Sequence, residues 1–330
     1  MPIEGFFLVT REGLIFEVKG VLHPRDRTIA YVRYVPDPEG DRTAHDGRRY
    51  RKISSLVEKD RMVRTLASDY IWYDPRRGRS FQAVPHDRVT RIFDPVEGLT
   101  ALKSEQEPAP VREAARVLAE DIQRTAGIAD SDIGITGSLL LGVENEASDI
   151  DIVVYGESAC RRVYQALTCG RIRRAKPYTG DRLRGHVSFR WDDIKYIEGA
   201  MVVVEGSKKL QGVFGEHEFF IKLVRRPEEL DVCYDDITVK PVGRVSIECI
   251  IIDDRNSIFT PCEYRVSSDA IPSLSLVTSY RSRFAEQCGM KSRVEVRGDL
   301  EMVTERGTRR YAQIVMGGTS GDYMVPIGLS

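Results

Sequence analysis

The stretch "ITGSLLLGVENEASDIDIVVYG", residues 135–156, sets two aspartates, Asp149 and Asp151, one residue apart in a run of Ile and Val. An ionised carboxylate in an apolar setting is costly unless something pairs with it. In a strand, side chains at i and i+2 share a face. Asp149 and Asp151 therefore point one way, while Ile150 and Ile152 point into the opposite layer. Two carboxylates side by side repel unless a cation sits between them. Magnesium, hard and oxygen-seeking, is the natural cation. Carboxylates carrying one or two magnesium ions beside a phosphate are the apparatus of phosphoryl transfer.

The same stretch supplies a second half. Gly137 and Ser138 follow the short strand "DIGIT" and precede "LLLG", which reads as a single helical turn. Glycine lets a backbone approach a phosphate closely, and free N–H groups at a helix start favour an anion. The Ser138 hydroxyl adds a donor. Ten residues separate Ser138 from Asp149, enough for the turn and a loop that brings the next strand alongside. An isolated Asp-x-Asp or Gly-Ser carries little weight. Their order here, strand, Gly-Ser, short helix, loop and then Ser-Asp-Ile-Asp-Ile on a strand, carries much more.

Outward from this centre, "VREAARVLAEDIQRTAG" (111–127) places Val111, Ala114, Ala115, Leu118 and Ile122 on one helical stripe, with Pro110 at its start and Gly127 after its end. "ESACRRVYQALTCG" (157–170) is a second predicted helix. The middle of the chain thus alternates strand and helix. Residues 1–35 read as three strands, "GFFLVT", "GLIFEVKGVL" and "TIAYVRYV", with "REG" as the first turn. Residues 36–51 read as a polar loop, 54–67 as a short helix, and "DYIWYD" and "SFQAVP" as strands. From about 240 onward come five strand candidates, "GRVSIECIIID", "CEYRVS", "SLSLVTSYRS", "SRVEVRGDLEMV" and "RRYAQIVMGG". These suit a small barrel or sandwich, an OB-like barrel being one topology the strand count admits. The predicted fold class is α+β. A β-rich N-terminal domain (1–105) would end near the linker candidate "KSEQEPAP", followed by a central domain (106–238) and a C-terminal β-barrel-like domain (239–330).

The chain has 330 residues, 42% hydrophobic and 30% charged, so cores of ordinary size are expected without disulfides or structural metals. Lys and Arg number 49 against 50 Asp and Glu, which excludes a blanket polyanion binder; any nucleic-acid contact must come from a local patch. None of the six cysteines, Cys160, Cys169, Cys233, Cys249, Cys262 and Cys288, stands in a CxxC pair, and they read as reduced and mostly structural. No signal peptide or membrane span is legible, and a cytoplasmic protein is expected.

"GS…SDIDIVV" resembles the signature of the DNA polymerase beta-like nucleotidyltransferase superfamily. "GSLLLG" followed by "SDIDI" is especially similar to archaeal members, CCA-adding enzymes among them in this short window. "EGLIFEVKGVLHPRDRTIAYVRYVPDPEG", "SIFTPCEYRV" and "SYRSRFAEQ" resemble a group of archaeal predicted nucleotidyltransferases over most of the length. The resemblance implies that Gly137 and Ser138 hold a nucleoside triphosphate. It also implies that Asp149 and Asp151 bind two magnesium ions, one activating an acceptor hydroxyl and one steadying the pyrophosphate leaving group. The superfamily adds a third carboxylate on a nearby strand. No clean apolar-Asp-apolar triplet follows here, so Glu218 in "GEHEFFIKLV" is the first candidate, with Glu205 and Glu216 as rivals. The motif names a chemistry and leaves the substrate open.

Between 160 and 190 positive charge accumulates, from Arg161 and Arg162 through Arg171, Arg173, Arg174 and Lys176 to Arg182, Arg184 and Arg190, with Asp181 as the interruption. It reads either as a solvated helix face with a basic loop or as a track for triphosphate or for an RNA or DNA acceptor. Tyr178, Phe189 and Trp191 are interleaved with it, as stacking platforms or as core. His23, His45, His86, His186 and His217 show no ligand spacing, and "EGSKKLQG" lacks the order of a P-loop. Three functions follow. The first is a magnesium-dependent transfer of NMP from NTP to a hydroxyl, with RNA as a candidate acceptor. The second is a catalytically weak or inactive nucleotide- or nucleic-acid-binding module. The third is a small-molecule modifier similar to the antibiotic nucleotidyltransferases, which the basic stretch disfavours.

Overall fold

The computed structural model describes residues 1–44, 46–194 and 197–328. His45 lies outside the described residues. The chain falls into two compact units: Met1–Pro75 with Arg79–Ala175 and Phe214–Tyr234, and Arg76–Gly78 with Lys176–Val213 and Asp235–Ser330.

The first unit opens with β1 (Phe7–Thr10), β2 (Ile15–Val18), β3 (Arg27–Pro36), β4 (Arg42–Thr43), β5 (Arg49–Lys52), α1 (Leu56–Leu66), β6 (Ile71–Asp74), β7 (Arg79–Pro85) and β8 (Val89–Phe93). Their sheet runs β4-β5-β3-β2-β1-β8, with β7 pairing β3 and β6 pairing β7. The polar loop expected over 36–51 therefore carries two short strands. Its charged residues alternate with the buried Tyr50, so composition alone hides the pleat. One face of the sheet, with Phe16, Val18, Ala30 and Val32, packs with Val63 of α1 into a closed core. The other face carries Glu17, Tyr34 and Lys52.

Next come α2 (Pro95–Lys103), α3 (Pro110–Ala126), β9 (Ile133–Ile135), α4 (Gly137–Leu141), β10 (Ile150–Tyr155) and α5 (Glu157–Thr168). In chain order they are followed by β11 (Ala175–Lys176), α6 (Gly180–Arg190), α7 (Glu198–Ser207), β12 (Gln211–Phe214) and β13 (His217–Val224), of which α6 and α7 belong to the second unit and β13 to the first. The predicted α3 stripe is the buried one: Val111, Ala115, Leu118, Ala119 and Ile122 all face inward, and Gly127 closes the helix in the left-handed conformation at φ 62°. Burying Leu118 and Ile122 stabilises this contact by about 1.5–3 kcal/mol each. Strand β10 is central, antiparallel to β9 and parallel to β13. Helix α2, which sequence reading missed, crosses β9 so closely that a Cβ on Gly134 would stand 2.4 Å from the Pro95 carbonyl carbon.

The N-terminal segment is stitched to this layer. Thr136 donates its hydroxyl to the Gly5 carbonyl at 2.6 Å, and Tyr155 donates to the Glu4 carbonyl at 3.0 Å. Ile3, Val21, Val153, Tyr155 and Val224 share one apolar cluster.

The second unit carries β14 (Ile237–Asp253), β15 (Cys262–Ser267), β16 (Leu274–Ser279), β17 (Arg293–Glu305), β18 (Arg309–Met316) and β19 (Tyr323–Pro326). β14 pairs antiparallel with β15 and with β17, β15 with β16, and β17 with β18 and β19; β16 and β18 run parallel. In the same unit Glu205, fully buried, accepts from Trp191 Nε1 at 3.0 Å, Lys208 Nζ at 2.9 Å and Gln211 Nε2 at 2.6 Å. All six cysteines are free. Among the described residues no helix is long and apolar enough to cross a membrane.

Candidate active site

The strand ladder decides which side chains of the first unit meet. Asp151 is opposite Phe220, and Val153 is opposite Lys222. Neighbouring strands present paired positions on the same face. Asp151, Phe220 and Lys222 therefore share a face, and so does Glu218, two residues before Phe220. Asp149, one residue before β10, is exposed at the end of that face, as is Glu218. Buried Ile150 and Ile152 fill the opposite layer. The sequence-predicted Asp149, Asp151 and Glu218 are thus brought to one face. Among the described residues, no three acidic, His or Cys side chains stand close enough to form a ready-made metal cage.

Gly137 and Ser138 occupy the first turn of α4, with Ser138 buried. Gly137 adopts φ +67°, and a Cβ built there would lie 2.2 Å from Asp151 Oδ2. The Asp151 carboxylate therefore rests against the Gly137 backbone. This contact joins the two halves of the motif, and it explains glycine at 137 twice over: by its left-handed φ and by the absence of room for a side chain. The Thr136 N–H donates to the Asp151 carbonyl at 2.9 Å and fixes the turn beside the strand. Burial, reinforced by the Asp149 carboxylate, pushes the Asp151 carboxyl up to about 7. Lys222 and Arg33 act against that shift, and Glu17 adds to it. A carboxylate pair this uncomfortable without a cation fits a divalent metal.

The rivals go elsewhere. Glu205 is spent in its buried network, where burial opposes its charge but Lys208, His186 and Arg190 hold its carboxyl far below the usual range. Glu216 lies in the turn before β13. Of the interleaved aromatics, Tyr178 and Trp191 are buried, Tyr178 stacking on His186 at 4.3 Å between ring centroids. Phe189 is 85% exposed. In the basic stretch, Arg162, Arg171, Arg173, Arg174, Lys176, Arg182 and Arg184 are exposed, while Arg161 is paired with Glu157 and Arg190 with Gln211.

Sequence reading missed the contribution of the N-terminal sheet. Lys222 Nζ reaches Glu17 Oε1 of β2 at 2.8 Å and the fully buried Glu4 at 3.3 Å, and Lys19 bonds the same two acids. Arg42 donates to Ser148 Oγ at 3.1 Å, next to Asp149. The signal was present: Lys222 in "FFIKLV" and Glu17 in "LIFEV" are charges in apolar runs, the same anomaly that singles out the aspartates.

Residues 115–253 match the family model of the nucleotidyltransferase domain. This segment is similar to nucleotidyltransferase domains. The matched segment includes Gly137, Ser138, Asp149, Asp151 and Glu218 and excludes the N-terminal sheet. An uncharacterized protein of the archaeon Methanocaldococcus jannaschii is 29% identical over 322 residues, covering 95% of this chain and 94% of that protein. No solved structure matches significantly.

Proposed function

We propose that the protein is a magnesium-dependent nucleotidyltransferase that moves an NMP from an NTP to a hydroxyl acceptor and releases pyrophosphate. The observation that carries this reading is the contact of the Asp151 carboxylate with the Gly137 backbone, which sets the phosphate-side turn and the acidic strand on one centre. In this reading Asp149 and Asp151 hold the metal, and Glu218, on the same face of the neighbouring strand, is the candidate third carboxylate. Bound magnesium supplies charge neutralisation for the phosphates and lowers the pKa of an attacking hydroxyl. Gly137 lets the backbone come close to the triphosphate, and the Ser138 hydroxyl donates to it.

An RNA acceptor is the favoured class, supported by the run of exposed arginines between 162 and 184 and by the exposed ring of Phe189. An OB-like barrel in the C-terminal region is part of the same reading. Its support is the pairing order β14-β15-β16-β18-β17, with β14 also bonded to β17 and one parallel pair at β16–β18.

The test is label transfer. The protein is incubated with each α-labelled NTP, magnesium and total archaeal RNA. Label in RNA with one or more NTPs is the expected result. Label in none of RNA, protein or small molecules, under conditions where nucleotide binds, overturns the reading.

A further inference from the structure

The family match begins at residue 115, so nothing in it assigns a role to the β-sheet formed by residues 7–93. That sheet is held to the acidic centre from two sides. On one side Glu17 is bonded to Lys222 at 2.8 Å. On the other side Arg42 is bonded to Ser148, the residue before Asp149, at 3.1 Å. The sheet face between these ties looks at the aspartates. In the β3–β5 ladder Lys52 is opposite Tyr34, which puts the two side chains on one face.

Two cations on this sheet stand out by what they lack. The Lys52 side chain is half-buried, and its ammonium makes no hydrogen bond or ion pair among the described residues. Arg33 donates one hydrogen bond, to the Ile53 carbonyl at 3.3 Å, and has no carboxylate partner among the described residues. Cations of this kind are ordinarily paired when withdrawn from water. Both feel the acidic centre without bonding to it. The Lys52 ammonium is pulled down by burial and by Arg33, and Asp149 and Asp151 oppose that pull. Arg33 is the extra residue of a bulge in β3, between Val32 opposite Phe16 and Tyr34 opposite Ile15, and its charge acts on Asp151. The other charges of this face are already matched, because Glu4 and Glu17 take up Lys19 and Lys222. Once metal neutralises the aspartates, Lys52 and Arg33 remain as positive charge with no protein anion to meet it.

We propose that Lys52 and Arg33 form the second wall of the nucleotide site and bind the polyphosphate of the NTP opposite the Gly137-Ser138 turn. The inference rests on the nucleotidyltransferase reading and adds the N-terminal sheet to its substrate-binding surface. Arg33 offers a planar fork suited to phosphate oxygens, and Lys52 a mobile point charge.

The test compares NTP and NMP binding by calorimetry on the full chain with magnesium, using α,β-methylene analogues of the four NTPs. The proteins are wild type, Lys52→Met, Arg33→Met, the double variant and Lys52→Arg. Each methionine variant is expected to lose about 10- to 100-fold in triphosphate affinity, the range of a charged hydrogen bond. NMP affinity should stay within about twofold if the clamp touches only the polyphosphate, and Lys52→Arg should recover most of the loss. Unchanged triphosphate affinity in the double variant overturns the clamp alone. Equal losses for NTP and NMP also overturn it, because a polyphosphate wall has no reason to weaken NMP binding equally. Absence of triphosphate binding by the wild-type protein overturns the nucleotide reading together with the clamp.

Discussion

Two carboxylates, the half-buried Asp151 in the first unit and the buried Glu205 in the second, have opposite surroundings. Glu205 takes hydrogen bonds from Trp191, Lys208 and Gln211, and its charge is stabilised far below the ordinary range. Asp151 has Asp149 as its neighbour, rests against the bare Gly137 backbone and is pushed up to about 7. Both stand in apolar runs of the sequence, "MVVVEG" and "IDIVV". A satisfied buried charge serves the fold. A half-buried one set beside a second carboxylate, held there by a surrounding structure that tolerates the cost, marks a position kept for a ligand.

That contrast can be broken at either end. The largest stability effect belongs to the satisfied acid. Glu205→Ala strands the Lys208 ammonium in the interior and should cost about 3–5 kcal/mol in urea unfolding; a cost under ~1 kcal/mol would remove the structural half of the comparison. Gly137→Ala comes next. It forces a left-handed alanine and a Cβ 2.2 Å from the Asp151 carboxylate, so a loss of about 1–3 kcal/mol together with loss of nucleotide transfer is expected.

Asp151→Asn tests the sign of the other half. A carboxyl whose folded pKa is raised from 3.8 to about 7 weakens the metal-free fold progressively as pH climbs from 4 through 7. The Asn variant should therefore be more stable than the parent at pH 8, on the order of 2 kcal/mol, and gain nothing near pH 4. A variant less stable at both pH values would show that Asp151 is a structural acid. The smallest effect is expected at Phe189, whose ring is 85% exposed: Phe189→Ala should shift stability by less than ~0.5 kcal/mol, against about 3–5 kcal/mol for the buried Trp191. Weaker RNA binding by Phe189→Ala at unchanged stability would extend the comparison to the acceptor side.

Much of the site was legible because the chemistry is local. The Gly-Ser turn and the two aspartates lie within fifteen residues, Gly137 to Asp151, and period-two alternation fixes the common face of the aspartates. Helix α3 was legible for a similar reason, a stripe with Pro at one end and Gly at the other. The common face of Glu218 and Asp151 depends on a parallel register across some seventy residues, which no local pattern encodes. The same holds for Lys52 and Arg33, brought to the centre by a sheet that ends before the matched domain begins. Strands β4 and β5 escaped notice because Arg42, Arg49 and Arg51 give them the composition of a loop. Tyr178 and Trp191, which read as stacking platforms or as core beside the arginines, are core residues, a distinction that burial makes and spacing does not.

The most direct measurement follows pyrophosphate release and label transfer in the wild type and in the double variant Asp149→Asn with Asp151→Asn, with circular dichroism run on both. Magnesium-dependent transfer by the wild type, a fall of at least about 1,000-fold in the double variant, and superimposable spectra are expected. Full transfer by the folded double variant, or nucleotide binding without transfer by the wild type, would contradict that expectation.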